Sequence, residues 1–519
     1  MKRAIIILIV LVATAMVLPA GGVQQATAPD QRTISVYDGL WENIATLVSD
    51  LNGTPLYTEL ERRTGITVEW VHPPAGGDAE FFNLMVAADD LPDAIYRNWA
   101  TGYPGGPQKA LDDRIIIPLN DVIERSAPNF AALMDRNPDW DRGARTDAGT
   151  QYMFPFIRGH GSLLVFFGPA LRADWLEELN LEVPVTLDDW ENVLTAMRAK
   201  TGGLGPLTMT SLTSGGRNVN TGPGWVSAFG LRMGFFRDNN VVKYGQYEPA
   251  YRDFLELFNR WYTNGLLDAE FITNDMAAFN AKVLNDRAGA FLGYTGSNIG
   301  VYLDAKRDDP NFDLVAAPYP VINRGETPFS GQRDFPLPGN GLVITTAARN
   351  PELVAEWADY AYGEEGHMLF NFGIEGESYN MIDGFPQYSD IIMNNPDWGV
   401  ANGLGMYTRA VYSGPIVQDE RYIVQYLGRD QQRDALDKWF RTDAENNIMP
   451  PVTPTPEESQ RLSAIMTEVS TYANEMFVRF IVGDEPLANF DQYRQQLRRM
   501  GVEEAIAIQQ AALDRFNAR

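Results

Sequence analysis

The sequence predicts an α/β fold built from more than one domain. Three observations carry that expectation. Residues 33–96 alternate strand, helix, strand, helix, strand, an order that gives parallel strands covered by helices. The chain has 519 residues, too many for one small domain at roughly 100–200 residues each. Hydrophobic residues make up 45% of it, enough for sizeable cores, and from Pro454 onward the pattern is almost wholly helical.

The elements follow in order. Thr33–Tyr37 alternates apolar and polar residues, as a half-buried strand does. Thr54-Pro55 opens a helix that Thr64-Gly65 stops. Ile66–Val71 is a second strand, Asp78 starts a helix carrying Phe81, Phe82, Leu84, Met85 and Val86, and Leu91–Tyr96 is a third strand. Ligands of such sheets sit beyond the carboxyl ends of the strands. The segments after strands one and three are therefore candidate site segments, and they carry Asp38, Trp41, Asn98, Trp99 and Tyr103. Further strands are expected at Gln151–Pro155, Leu163–Phe167, Pro206–Thr210, Ala288–Gly293, Phe312–Ala317 and Gly341–Thr345. Helices are expected at Arg172–Leu179, from Leu187, at Pro249–Gly265, at Asn274–Asn285 and at Pro351–Tyr362. The tail is broken at Gly483–Pro486 and at Gly501.

Composition removes several function classes. There are 42 Lys+Arg against 68 Asp+Glu, a formal charge of −26, so phosphate backbones and anionic membrane surfaces are poor partners. Without cysteine there is no disulfide, thiolate metal site or cysteine nucleophile, and the three His lie far apart. No Gly-x-Ser-x-Gly, His-Glu-x-x-His or phosphate-binding Gly-rich motif occurs, which points away from an enzyme. At the N-terminus, Met1-Lys2-Arg3 precedes the apolar run Ala4–Leu18, which is shorter than the roughly 20 residues a spanning helix needs. Pro19, Ala20, Gly21 and Gly22 follow, so residues 1–22 read as a secretory signal peptide, with no Cys for lipid attachment. A soluble, exported protein is expected, with no membrane insertion after cleavage.

Several segments match one family in order. Thr64-Gly65-Ile66-Thr67-Val68-Glu69-Trp70, Leu91-Pro92-Asp93-Ala94-Ile95 and the helix Leu171-Arg172-Ala173-Asp174-Trp175-Leu176-Glu177-Glu178-Leu179 with Pro184 and Thr186 are three of them. Phe229-Gly230, Arg287-Ala288-Gly289-Ala290, Gly373–Tyr379 and Phe480-Ile481-Val482-Gly483 with Phe490, Tyr493 and Met500-Gly501 continue the series. On these residues the chain resembles the extracellular solute-binding proteins (family 1) of carbohydrate ABC importers, in their long branch. The resemblance implies a two-lobe, type II periplasmic-binding-protein fold, its lobes joined by crossing strands, with extended C-terminal helices. It places lobe one at 30–157 with 288–338, and lobe two at 158–287 with 339–519. It also implies a monomer, free in the periplasm, that captures a saccharide between the lobes and hands it to the transmembrane subunits of an ABC permease. No nucleic acid partner and no cofactor are implied. A sensory adaptor or a binder of a non-sugar ligand such as a peptide is the alternative.

A sugar presents hydroxyls around its rim and CH groups on its ring faces, so its site needs planar hydrogen-bonding side chains and aromatic faces. Trp41, Trp99, Trp225, Tyr294 and Trp398 lie in loop or strand-end contexts and are the candidate stacking rings, with Trp99 and Trp225 foremost. Asn98, Arg158, His160, Arg333, Asn340 and Glu375 are the candidate polar contacts, Arg158 being suited to an acidic sugar. Asn180, Glu182, Asp188 and Asp189 place oxygen side chains on one short connection, a candidate Ca²⁺ site, although Asp188 equally suits the start of a helix.

Overall fold

The computed structural model describes residues 32–518 apart from 42–43, 75–76, 101, 204, 214–216 and 221–223. The expected signal peptide lies outside the described residues.

The chain runs β1 (Thr33–Tyr37), α1 (Pro55–Thr64), β2 (Thr67–Val71), α2 (Asp78–Ala88), β3 (Ala94–Asn98), α3 (Gly106–Asp112), β4 (Phe154–Pro155), β5 (Ile157–Arg158) and β6 (Phe167–Arg172). It continues through α4 (Leu187–Met197), α5 (Tyr251–Thr263), β7 (Ala290–Tyr294), β8 (Leu314–Ala316), β9 (Asn340–Ile344), β10 (Val417–Gln418), α6 (Glu420–Tyr426), α7 (Asp430–Phe440) and α8 (Pro456–Val482), with further elements between and after them. Local chemistry explains the best-marked boundaries. In α1, the Thr54 hydroxyl accepts from the Tyr57 N–H, Pro55 supplies the first turn, and Gly65 ends the helix at φ 65°. In α8, Thr455 and Glu458 form a capping box and Gly483 ends the helix at φ 87°.

Two sheets organise the molecule. The first has the order β2-β1-β3-β9-β4, with β1 parallel to β2 and β3, and β9 antiparallel to both its neighbours. The second has the order β8-β6-β7, all antiparallel. The first lobe's cores join Val36, Val68 and Ile95 to Leu342, Trp357, Leu404 and Tyr422. The second lobe's cores join Leu171, Trp190 and Phe258 to Leu292, Leu314, Trp439 and Phe477.

This pairing corrects the expected lobe boundaries. The later segments are exchanged: 290–316 belongs with the second sheet, and 340–426 with the first. The cause is β9. Its apolar Leu342, Val343 and Ile344 enter the first sheet beside β3, and the helices that follow must cover that sheet. Two strand expectations also shift. Leu163 falls in a single 3-10 turn before β6, and 206–210 forms only isolated bridges through Leu207.

The lobes are joined by three crossings. The first leads from β5 to β6, the second returns to β9, and the third runs from α6 to α7. The short parallel pair of β5 and β10 lies at their base.

Candidate ligand-binding cleft

The carboxyl ends of β1 and β3 and the joined ends of β6 and β7 face one another across the crossings. On the second lobe the register puts Phe167 opposite Tyr294, so the residues on either side of that pair lie at the crossing end of the sheet.

On the first lobe the chain leaves β1 through Asp38, whose carboxylate accepts from Arg409 Nη1 at 2.8 Å. The same guanidinium donates to the Tyr57 hydroxyl and to the Ser413 carbonyl, and Arg409 and Asp38 are both buried. Hydrogen bonds on several sides offset the desolvation of such a pair. Above it, the Arg409 guanidinium lies 4.1 Å from the Trp41 ring centre, and the Tyr412 ring stacks on Trp41 at 4.0 Å with 16° between planes. A turn brings Tyr412 back to Arg409, so one loop supplies both groups. Tyr422 and Tyr426 of α6 extend the aromatic surface, stacked at 6.4 Å.

The second lobe answers with Tyr294 at the end of β7. Phe166 stacks on it at 5.8 Å and 13°, and the Arg217 guanidinium lies 4.7 Å from its ring centre while donating to Asn298 Oδ1. The lobes approach closely at Gly296, where a Cβ would stand 2.8 Å from the Tyr426 hydroxyl oxygen. Burial pushes the phenols of Tyr412 and Tyr426 above their ordinary range, so both stay neutral donors.

At the end of β3 in the first lobe's sheet the fold brings two predicted residues together. Asn98 and Asn340 face each other in the β3–β9 register, and Asn98 Nδ2 donates to Asn340 Oδ1 at 3.1 Å and to the Pro338 carbonyl at 3.2 Å. Of the other predicted residues, Trp41 follows β1 in the first lobe and Tyr294 ends β7 in the second.

The other predicted contacts have different employment. Trp99 is 0% exposed, edge-on to Phe82 at 6.0 Å, and Trp225 is 0% exposed among Trp190, Phe258 and Trp261. Both are core residues: Trp99 packs in one core with Phe82 and Tyr103, and Trp225 in the second lobe's core. Arg158 pairs with Asp334 at 2.9 Å, donates to Gln418, and its own N–H bonds the Pro336 carbonyl. It ties the crossings together, which engages the guanidinium that an acidic sugar would need. His160 stands exposed within 2.5 Å of Glu420 Oε2. Arg333 pairs with Glu445 at 2.8 Å beside Phe440, within the second lobe. Glu375 is exposed on a tight loop closed by the Ser378 hydroxyl, and Trp398 donates to the Ile391 carbonyl while packing on the first core.

The oxygen cluster is not a cation cage. Asn180 takes φ 52° after the helix over 173–178, and Asp189 is the third residue of the Thr186 capping box. Burial opposes its charge, but the Thr186 and Val185 N–H groups, with Arg324 at 2.7 Å, hold the Asp189 carboxyl below the usual range. Among the described residues no group of three or more His, Asp or Glu is placed to hold a metal ion.

Sequence reasoning missed Phe166, Arg217, Arg409, Tyr412 and Tyr426. The Gly-Pro turn at Gly414-Pro415 beside Tyr412 was the available signal for the 409–412 loop.

The anchor of α6 yields a pH prediction. Asp419 caps that helix, accepting from the Arg421 N–H at 2.8 Å and from His367 Nε2 at 2.9 Å. Burial alone would raise its carboxyl, but these donors and the Arg421 guanidinium hold it far below the usual range. A depressed folded value means the contribution is complete above the unfolded value near 4 and is lost as pH falls through the folded one. Asp419→Asn keeps the cap but removes the charge. It is expected to cost about 1.5–3 kcal/mol at neutral pH, and urea melts of both proteins should converge progressively below about pH 4.

Comparison with known proteins gives the family and the fold. A model of the bacterial extracellular solute-binding proteins matches residues 53–368. The fructooligosaccharide ABC transporter substrate-binding protein FusA of Streptococcus pneumoniae serotype 4 is 24% identical over 489 residues, 90% of this chain and 88% of FusA. Lipoprotein LipO of Bacillus subtilis is 25% identical over 394 residues, 71% of this chain and 74% of LipO. Among solved structures, alginate-binding protein AlgQ2 without calcium ion matches with TM-score 0.75 at 24% identity, covering 93% of this chain and 98% of AlgQ2. That likeness shows the type II periplasmic-binding-protein fold.

Proposed function

The chain belongs to the bacterial extracellular solute-binding proteins, and from that premise we propose that it captures an oligosaccharide between its lobes and delivers it to the membrane subunits of an ABC importer. The observation that carries the ligand class is the pairing of aromatic surfaces across the cleft. Trp41, Tyr412 and Tyr426 stand on one lobe, Tyr294 and Phe166 on the other, and Asn98 and Asn340 lie between. Rings of this kind cover the CH faces of a sugar at low conformational-entropy cost. Neutral amide and phenol groups suit its hydroxyls, each both donor and acceptor. The relatives support the class: FusA is a fructooligosaccharide binder by name and AlgQ2 an alginate binder. With Arg158 engaged by Asp334, a neutral sugar suits this cleft better than an acidic one.

In this reading a ligand touching both lobes favours their closed arrangement, because it binds that arrangement better. The closed form is what the importer accepts, on the outer side of the membrane, and the saccharide is released unchanged.

Thermal unfolding with neutral and acidic oligosaccharides tests the reading. A true ligand at about 100 times its Kd adds about 2.7 kcal/mol of stability. Tyr294→Ala and Tyr426→Ala are each expected to weaken that ligand about tenfold, near 1.4 kcal/mol, by titration calorimetry. No shift with any saccharide would overturn the proposal.

A further inference from the structure

We propose that the last turn of α9 (Val502–Ala518) is a clasp across the hinge: Arg515 holds Asp147 of the first lobe while seated on Glu458 of the second, and the cleft closes only when this grip is given up. Its effect on affinity rests on the function proposed above.

The second lobe fixes the guanidinium. Val502 and Ala505 of α9 are buried in that lobe's core, and Ala512 and Leu513, just before Arg515, are buried too. Arg515 Nη1 donates to Glu458 Oε1 at 3.1 Å, and Nη2 donates to the other oxygen. Glu458 is itself held, as the third residue of the capping box that starts α8. From this seat Arg515 Nε reaches across to Asp147 Oδ2 at 2.6 Å. The Thr453 hydroxyl, just before α8, donates to Asp147 Oδ1 at 2.6 Å. Each oxygen of Asp147 thus meets a donor from a different end of the helical tail. Arg515 is 34% exposed and Asp147 17%, so salt screens the pair less than a surface bridge.

The first lobe fixes Asp147 equally well. Ala144 is buried in its core, the Thr146 N–H bonds the Thr150 carbonyl, and the bridge between Arg145 and Gln151 leads into β4. Beside the ion pair, Arg142 lies 5.9 Å from the Phe516 ring centre. Trp140, Leu337, Pro451 and Phe516 line a cavity of about 300 Å³ at the second crossing. A contact tight at one ion pair and open around it can part without unpacking a core.

Position gives the direction of the effect. In the order β2-β1-β3-β9-β4, Trp41 follows β1, whereas the clasp holds the chain that enters β4, at the opposite edge. The first crossing leaves through β5, directly after β4, and the second returns into β9. Rotation about these strands that draws Tyr294 toward Trp41 draws Arg515 away from Asp147. A contact made only before closure lowers the closed fraction and weakens apparent affinity by the same factor.

The test is titration calorimetry of the full chain with neutral oligosaccharides, from disaccharide to hexasaccharide. Asp147→Ala removes the grip and is expected to tighten binding about fivefold, although Asp147 touches no cleft residue named above. The chain has no cysteine, so Asp147→Cys/Thr453→Cys can form a single disulfide, which locks the clasp. The oxidised form is expected to bind about tenfold more weakly than the same protein reduced. Unchanged or weaker binding by Asp147→Ala would overturn the clasp, as would equal affinities of the oxidised and reduced forms. If the parent binds no saccharide, the functional proposal fails, and small-angle X-ray scattering without ligand decides the clasp. Asp147→Ala should then have a smaller radius of gyration than the parent, and identical radii would overturn it.

Discussion

Replacing Arg409 with alanine is expected to remove about 3–5 kcal/mol of stability, the range for leaving one member of a buried ion pair without its partner. Its guanidinium is enclosed, with Asp38, the Tyr57 hydroxyl and the Ser413 carbonyl as acceptors. Removing it strands the Asp38 carboxylate in a dry site at the end of β1. It also takes away the cation beneath Trp41, so the Trp41–Tyr412 stack loses support. Two readouts should therefore move together: the urea midpoint, and affinity for the saccharide found by thermal shift. The Asp38→Ala/Arg409→Ala double variant should lose less than the sum of the single losses, because each single variant includes the cost of the unpaired charge. A loss below about 1 kcal/mol for Arg409→Ala would place the pair among exposed bridges of little worth and would contradict the burial described.

Trp225→Ala should cost about 3–5 kcal/mol through the cavity it opens, with no direct effect on ligand contacts. Its ring stands 4.9 Å from Trp190 at 76°, 5.9 Å from Phe258 and 6.2 Å from Trp261, edge-to-face in each case. Such pairs add to the area term, about 0.5–1.5 kcal/mol each. Guanidinium denaturation should show the loss, and the surviving folded fraction should titrate with parental affinity. A variant of parental stability that no longer binds would put Trp225 back in the cleft.

The first three strands were legible because each lies in a continuous β-α-β pattern, with Thr54, Pro55 and Gly65 marking the helix between the first two. Asn98, Asn340, Trp41 and Tyr294 could be placed at or just beyond strand ends because each borders an apolar strand run, and strand ends in such sheets are where ligands sit. Trp99 and Trp225 failed for one reason. A tryptophan next to a strand end or a Gly- and Pro-rich stretch looks the same in sequence whether its ring faces the core or the cleft, and only long-range packing, of Phe82 on Trp99 or of Trp190 and Trp261 on Trp225, decides. Arg409 could not have been paired with Asp38 across 371 residues by any local pattern. The lobe boundaries failed similarly, since the apolar run of β9 fits the middle of either sheet and nothing local says which neighbour it takes.

The late arrival of β9 bears on how the chain matures. Asn340–Ile344 sits between β3 and β4, strands made some 240 and 190 residues earlier. Until it arrives, β3 has an open edge and β4 no partner in the sheet, so neither sheet-long cooperativity nor the first lobe's full core can form. Closing such long loops before any contact rewards them makes folding slow. A nascent chain held in that state is still a thread, and a thread is what a protein-conducting pore can pass. In a member of an extracellular family, the interleaved order of the strands delays commitment to a compact shape until most of the polypeptide has been made.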